Sequence, residues 1–168
     1  TAIIDAEGRR TEFEYDELNR LILKRLPLGQ EETYEYDAVG NMISKTDFNG
    51  NTLIYEYDSM NRLVTKKQGD YHVLEEYTYT PTGKRETATL YEPVERNYYY
   101  EYDARDRLIY FNQPAGIVEY EYDLNGNRTV ISVDSVISGE YEFDELNRLV
   151  SAVDSNGNRT EYEYDLNG

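Results

Sequence analysis

Three short stretches of the chain hold acidic and amide side chains at spacings that could bind a divalent cation. They read DFNGN from residue 47, DLNGN from residue 123 and DSNGN from residue 154. An EF-hand calcium loop needs Gly at its sixth position and a bidentate Glu at its twelfth. Here Gly is the fourth residue, as a hairpin turn requires. We therefore expect turns without a metal site, with calcium binding as the minor alternative.

The sequence shows no distinct centre for catalysis. His72 is the only histidine, and the chain has no Cys, so it can form neither a disulfide nor a thiolate metal site. Pairs of Glu and Asp that could act as acid and base recur throughout the chain, whereas catalysis needs one pocket with unequal environments. We expect no catalytic residue, no cofactor and no enzyme activity.

The charge and hydropathy of the chain exclude two classes of partner. The 168 residues contain 34 acidic and 17 basic side chains, which gives a net charge of -17. Nucleic acids and anionic membranes bind through Lys and Arg, so we expect neither as a partner. No window approaches the ~18 apolar residues of a membrane helix, and we expect no membrane insertion.

The acidic stretches belong to a repeat. Tyr-Glu-Tyr-Asp or a close variant precedes a turn eight times, at 13–21, 34–42, 55–63, 77–85, 100–108, 120–128, 141–149 and 162–168. The motif aspartates, replaced by Thr80 in the fourth copy, are 20 to 23 residues apart. No linker interrupts the series. We expect residues 1–168 to form a single array of about eight repeats of about 21 residues.

Two turns in each repeat predict an all-β fold of antiparallel hairpins. The third residue after each motif aspartate is always Gly, Asn or Asp, the types that tolerate a left-handed backbone: Asn19, Gly40, Asn61, Gly83, Asp106, Gly126, Asn147 and Gly168. A three-residue hairpin loop made of a type I turn and a G1 bulge needs that conformation at its third residue. A second turn ending in Gly follows about thirteen residues later, as in LPLG from residue 26 and QPAG from residue 113. The two strands per repeat leave no room for a helix.

Alternation along the strands separates two faces of the sheet. The residues one and three before each motif aspartate share a face and are Tyr or Phe, whereas the residue between them, usually Glu, points the other way. Leu21, Met42, Leu63, Leu108 and Leu149 are expected to pack near the aromatic rings across the hairpin. Four arginines, Arg20, Arg62, Arg107 and Arg148, are expected to pair weakly with the motif aspartates.

The run Y-x-Y-D-x-x-G/N-R-L at this spacing resembles the RHS or YD repeat of bacterial polymorphic toxins, insecticidal toxin complexes and teneurins. The resemblance covers essentially the whole chain. It implies a ribbon of β-hairpins that spirals into a hollow shell, which in toxin members encloses a cytotoxic C-terminal polypeptide. It also implies a secreted or cell-surface protein, of bacterial origin. About sixteen strands at ~4.8 Å would span roughly 75 Å, and open sheets rarely exceed ~10 strands without curling, so we expect a curved sheet that is a segment of a shell or tube.

We interpret the motif as structural. The residues concerned are Tyr34, Tyr36, Asp37, Gly40, Tyr55, Tyr57, Asp58, Asn61, Tyr100, Tyr102, Asp103, Tyr120, Tyr122, Asp123, Gly126, Tyr141, Asp144, Asn147, Tyr162, Tyr164 and Asp165. The predicted function is a non-catalytic wall that encloses or spans, with an extracellular adhesion or carbohydrate-binding module using exposed Tyr rows as the alternative. Both ends lie inside repeats. The expected partners are therefore further repeats of the same polypeptide or end-to-end copies of the chain, with an enclosed toxin polypeptide or glycans as further candidates.

Overall fold

The computed structural model describes residues 1–165, and this part of the chain contains sixteen β-strands and no helix. The strands are β1 Ala2–Ile4, β2 Arg10–Tyr15, β3 Leu21–Arg25, β4 Glu31–Tyr36, β5 Met42–Thr46, β6 Thr52–Tyr57, β7 Leu63–Gln68, β8 His72–Tyr79, β9 Arg85–Leu90, β10 Arg96–Tyr102, β11 Leu108–Gln113, β12 Gly116–Tyr122, β13 Arg128–Val133, β14 Val136–Phe143, β15 Leu149–Asp154 and β16 Arg159–Glu161. They form one open antiparallel sheet in chain order. The predicted all-β fold of tandem hairpins is confirmed. Residues 1–165 contain no helix that could cross a membrane.

The chain divides into two compact units. The first comprises Thr1–Tyr77 with Leu90–Val94, and the second comprises Thr78–Thr89 with the chain from Glu95 onward. Within each unit, every strand pairs with the strands that precede and follow it in sequence. The paired strands of each unit are therefore neighbours in sequence, as in other repeat architectures.

The turn after each motif aspartate has the predicted loop. In the first repeat the amide of Asp16 donates to the carbonyl of Arg20, and the amide of Asn19 donates to the carbonyl of Asp16, both at 3.0 Å. The third loop residue has a positive φ in all seven described repeats. The left-handed conformation predicted from the residue types is thus confirmed for these seven, and Gly168 lies outside the described residues.

The second turns vary more than the motif turns do. Those that close with Gly8, Gly29, Gly50 and Gly157 have the same three-residue loop. The QPAG turn differs, because Gln113 and Gly116 are paired in register and only Pro114 and Ala115 form the loop. The next hairpin also has a two-residue loop, Asp134–Ser135, with φ of 50 and 64. A positive φ at both loop residues is typical of a type I′ turn, which matches the twist of the flanking strands.

A β-bulge recurs beside each motif turn whose register is resolved. Tyr15 is opposite Leu21 while Glu14 is opposite Leu23, which leaves Ile22 as the extra residue. The equivalent residues are all β-branched: Ile22, Ile43, Val64, Ile109, Thr129 and Val150. This bulge lies beyond the loop and is separate from the predicted G1 bulge, and no pattern in the sequence predicted it. Bulges bend a strand and increase its local twist, so the repeat contains its own source of sheet twist.

Burial in the sheet is shallow. Among residues 1–165 only Glu32, Ala88, Gly139 and Ser151 are buried, whereas most strand residues are half-buried. Neither unit has a dry core of large apolar side chains. Backbone ladders and side-chain contacts between adjacent strands therefore hold the fold together.

Candidate functional site

The motif aspartate organises its own turn. One carboxylate oxygen of Asp58 accepts the amides of Met60 and Arg62, at 2.8 and 3.0 Å, and the other accepts the Nε of Arg62 at 2.7 Å. Asp16, Asp103 and Asp144 have the same three contacts. The carboxylate thus acts as an acceptor for the loop backbone, as an Asx-turn does.

These contacts perturb the titration of the aspartates in one direction. Hydrogen bonds from the side chain and backbone of Arg62 lower the pKa of Asp58 below its ordinary value of 3.8. The side-chain amide and backbone of Asn127 do the same to the pKa of Asp123. The lowered pKa means that the contacts stabilise the charged carboxylate, which is suited to holding a turn. A general acid would instead need a raised pKa.

Within each unit, several motif turns also contact the next one along the sheet. The Nη1 of Arg20 donates to the carbonyl of Asp37 at 3.1 Å, and its guanidinium lies 4.8 Å from the centre of the Tyr36 ring. Arg107 repeats both contacts with Asp123 and Tyr122. The predicted pairing of arginine with the motif aspartate is confirmed, but the side chain also joins two repeats, which the sequence analysis missed.

The tyrosine before the motif aspartate forms a second link between repeats. The hydroxyl of Tyr36 donates to the carbonyl of Leu21 at 2.9 Å. The register of β3 with β4 begins at Leu23 and Thr33, so the bulge leaves the Leu21 carbonyl outside the ladder and the phenol satisfies it. The same bond joins Tyr57 to Met42, Tyr102 to Arg85, Tyr122 to Leu108 and Tyr164 to Leu149.

This recurring geometry coincides with a known family. The RHS repeat family model matches residues 1–31, 20–52 and 36–72. Residues 1–72 match RHS repeats. The family resemblance predicted from the Y-x-Y-D motif is therefore confirmed, and the turn, bulge and tyrosine contacts continue beyond residue 72.

Solved structures with this fold include large toxin assemblies. A Tc holotoxin pore of Photorhabdus luminescens with the TccC3-D651A mutation is 19% identical, with a TM-score of 0.64 over 87% of this chain and 9% of that chain. Two crystal structures, TcdB2-TccC3-Cdc42 and TcdB2-TccC3, are also 19% identical, with TM-scores of 0.60 over 90% of this chain and 9% of theirs. The similarity concerns the fold, and the chain spans 9% of the length of these structures. No curated protein sequence matches the chain.

The aromatic face of the RHS repeats contains paired charges as well as rings. Glu32, which is buried, accepts the Nζ of Lys45 at 2.7 Å and the hydroxyl of Tyr34 at 2.6 Å. Burial, followed by the hydrogen bond to Glu32, raises the pKa of Tyr34 to about 12. Glu75 has equivalent contacts with Lys66 and Tyr77. The sequence offered a signal for these clusters, because each glutamate stands two residues before a tyrosine of the motif.

The opposite face is less uniformly acidic than the alternation predicts. Glu56, Glu142 and the equivalent glutamates are exposed, as expected. However, Lys67 forms an ion pair with Glu56, and Arg159 forms one with Glu142. Cross-strand cations thus neutralise part of the acidic row.

The motif tyrosines, aspartates and turn residues lie near the equivalent residues of the adjacent repeats. The tyrosine directly before the aspartate contacts the preceding hairpin, whereas the aspartate contacts its own turn. The equivalent packing partners Leu21, Met42, Leu63, Leu108 and Leu149 are opposite Tyr15, Tyr36, Tyr57, Tyr102 and Phe143, as predicted.

The stretches that resembled calcium loops are turns. Asp47 and Asp154 accept two loop amides and the side-chain amide of Asn51 or Asn158. Within residues 1–165 no group of three or more acidic, His or Cys side chains is placed to hold a metal ion. His72 lies in an exposed strand end with its Nε2 2.5 Å from Glu92.

Proposed function

We propose that this chain is a non-catalytic segment of a β-repeat array that forms the wall of a hollow shell, tube or extracellular filament. The observation that supports this most directly is that the polar groups of the motif are used between repeats. The carboxylates hold turns, the guanidinium groups reach the next turn, and the phenols satisfy carbonyls of the preceding hairpin. A surface used in this way builds an extended structure.

We further propose that the wall belongs to a secreted or cell-surface bacterial protein in which residues 1–168 form one continuous array. Its fold is that of structures containing TccC3, and the resemblance to toxin members implies an enclosed polypeptide. The exposed apolar side chains Leu18, Val39 and Met60, at 62 to 70% exposure on successive loop tips, favour further repeats of the same polypeptide as neighbours.

Electron microscopy of the full natural polypeptide, combined with limited proteolysis, tests this proposal. We expect hollow or tubular particles whose enclosed segment resists protease while the wall is intact. Urea at a concentration that loosens the sheet should expose the segment. A solid, compact particle, or a fully digestible one under native conditions, would contradict the wall.

An adhesion or carbohydrate-binding module is the alternative, and it requires tyrosine rings that a sugar can stack on. Tyr15 and Tyr99 are about half exposed. Against this, the rings of Tyr36 and Tyr122 are covered by arginine, and their hydroxyls are already bonded. Calorimetry of the chain against a glycan panel should show no saturable binding. Saturable binding that is lost in Tyr15→Ala or Tyr99→Ala would favour the module instead.

A further inference from the structure

The motif turns alternate between two backbone geometries. The third loop residue has φ of 60 at Asn19, 101 at Gly40, 61 at Asn61, 90 at Gly83, 59 at Asp106, 101 at Gly126 and 61 at Asn147. The residue that follows alternates as well, in the order Arg20, Asn41, Arg62, Lys84, Arg107, Asn127 and Arg148. Values near 60 are accessible to Asn and Asp, whereas values near 100 favour Gly. Two turn types therefore alternate along the sheet.

Contacts between neighbouring turns follow the same alternation. In an Asn/Asp-Arg turn the arginine reaches the backbone carbonyl of the next aspartate, whose turn has Gly in third place. This occurs from Arg20 to Asp37 and, in the other unit, from Arg107 to Asp123. A Cβ added to Gly40 would lie 3.9 Å from the Arg20 guanidinium. That distance is an ordinary van der Waals contact, so the φ of 101, and not the arginine, favours glycine there.

A Gly-Asn turn uses a shorter side chain and needs a different neighbour. The Nδ2 of Asn41 donates to the Oδ1 of Asn61 at 3.1 Å, and Asn127 donates to Asn147 at 2.8 Å. The third loop residue of the next turn must here have a side-chain oxygen. In the variant fourth turn, Thr82 donates to Asp106 at 2.7 Å.

We infer that, within each unit, a motif turn recognises the turn of the following hairpin through two complementary matches. An Arg turn fits a hairpin with Gly in third place, and an Asn turn fits a hairpin with Asn or Asp there. The unit that assembles is therefore a pair of repeats, two steps of 21 residues from Asp16 to Asp58, and not the single repeat of the motif. The matches fix which hairpin follows which, whatever the array encloses.

Exchange of the two turn types tests this recognition. In the first unit, Asn61→Gly removes the acceptor of Asn41, and adding Asn41→Arg converts the pair to the other match. In the second unit, Asn147→Gly and Asn127→Arg make the same exchange. Asn19→Gly is the control for the backbone effect of glycine, because Asn19 has the same φ and no described residue bonds to its side chain.

Each chain would be unfolded in urea and followed by circular dichroism. Relative to Asn19→Gly, we expect Asn61→Gly and Asn147→Gly to increase the unfolding equilibrium constant about two- to tenfold, the effect of one lost hydrogen bond. Asn41→Arg alone should also destabilise, whereas the double variants should recover most of the loss.

Additive effects of the two changes in both units would overturn the inference, as would an Asn61→Gly variant that matches Asn19→Gly. If one double variant does not fold, the equivalent pair in the other unit decides the question. Hydrogen exchange of the turn amides provides a second readout. Protection at residue 61 should fall in the single variant and return in the double.

Discussion

The hydroxyl of Tyr57 has one described partner, the carbonyl of Met42 at 2.9 Å, and can be removed without removing the ring. In Tyr57→Phe the aromatic side chain still packs opposite Leu63. An intramolecular hydrogen bond contributes about 0.5–1.5 kcal/mol net, and a buried carbonyl left unsatisfied costs about 1–3 kcal/mol. Because Tyr57 and Met42 are only half-buried, water can partly replace the phenol, and we expect a loss of about 1 kcal/mol.

Urea unfolding measured by far-ultraviolet circular dichroism gives the free energy of unfolding for each variant. The matched control is Tyr15→Phe, since Tyr15 has the same place in the first repeat, is 47% exposed and donates to no described residue. We expect this control to change stability by less than about 0.5 kcal/mol, as is usual for surface substitutions.

The seventh repeat offers the reverse substitution. Phe143 stands where Tyr36, Tyr57 and Tyr122 donate in their repeats, and a shallow pocket lies between it and Arg128. Phe143→Tyr should therefore place a hydroxyl within reach of the Arg128 carbonyl and raise the free energy of unfolding by up to about 1 kcal/mol. Equal effects of Tyr57→Phe and Tyr15→Phe, together with a neutral Phe143→Tyr, would refute the tyrosine link between repeats.

Three further predictions concern titration and backbone strain. Hydrogen bonds from Arg62 lower the folded-state pKa of Asp58 below 3.8, so its contribution to stability is present above the unfolded pKa and is lost as the pH falls. The urea concentration at the unfolding midpoint should therefore decrease when the pH is lowered below about 4, and less steeply in Asp58→Asn. Burial and the hydrogen bond to Glu32 raise the pKa of Tyr34 to about 12, so stability should decline between about pH 10 and 12, and less steeply in Tyr34→Phe. Gly116 has φ of 134, and a Cβ there would lie 2.8 Å from the Asp134 carboxylate. Gly116→Ala should therefore lower the free energy of unfolding in urea by about 1–3 kcal/mol. The loss should be larger than that of Gly8→Ala, because a Cβ at Gly8 meets open space.

The hairpin fold could be predicted because its signals lie within one repeat. A left-handed third loop residue requires Gly, Asn or Asp, and strand alternation is visible in six residues. The QPAG turn shows the limit of such local signals. Gly116 looked like the Gly that closes other second turns, but it pairs with Gln113, and one loop residue fewer is needed. Gly marks both geometries, so residue type alone could not distinguish them.

The contacts between repeats were harder to predict, because they join residues 14 to 24 positions apart. When the repeats are aligned on the aspartate, Asn19 and Gly40 share one position and Arg20 and Asn41 share the next. Each position then looks merely variable, and the alternation of turn types is hidden. Likewise, the acidic row looked unpaired because Lys67 reaches Glu56 from the adjacent strand. The β-branched residue at each bulge was visible in the sequence, but strand propensity explains such residues equally well without a bulge.

The repetition itself bears on function. Because burial is shallow, a single hairpin cannot supply enough buried surface to be stable, and its phenol and one nitrogen of its guanidinium find partners on an adjacent hairpin. Stability in such an array is a sum of nearest-neighbour terms. A substitution at one turn should then weaken that turn and its two neighbours and leave distant repeats unchanged. Selection on such a chain therefore acts on how well neighbouring repeats match along the array. This explains why one motif recurs with alternating turn types. It also explains why no single repeat is set apart in the way that a binding or catalytic site would be.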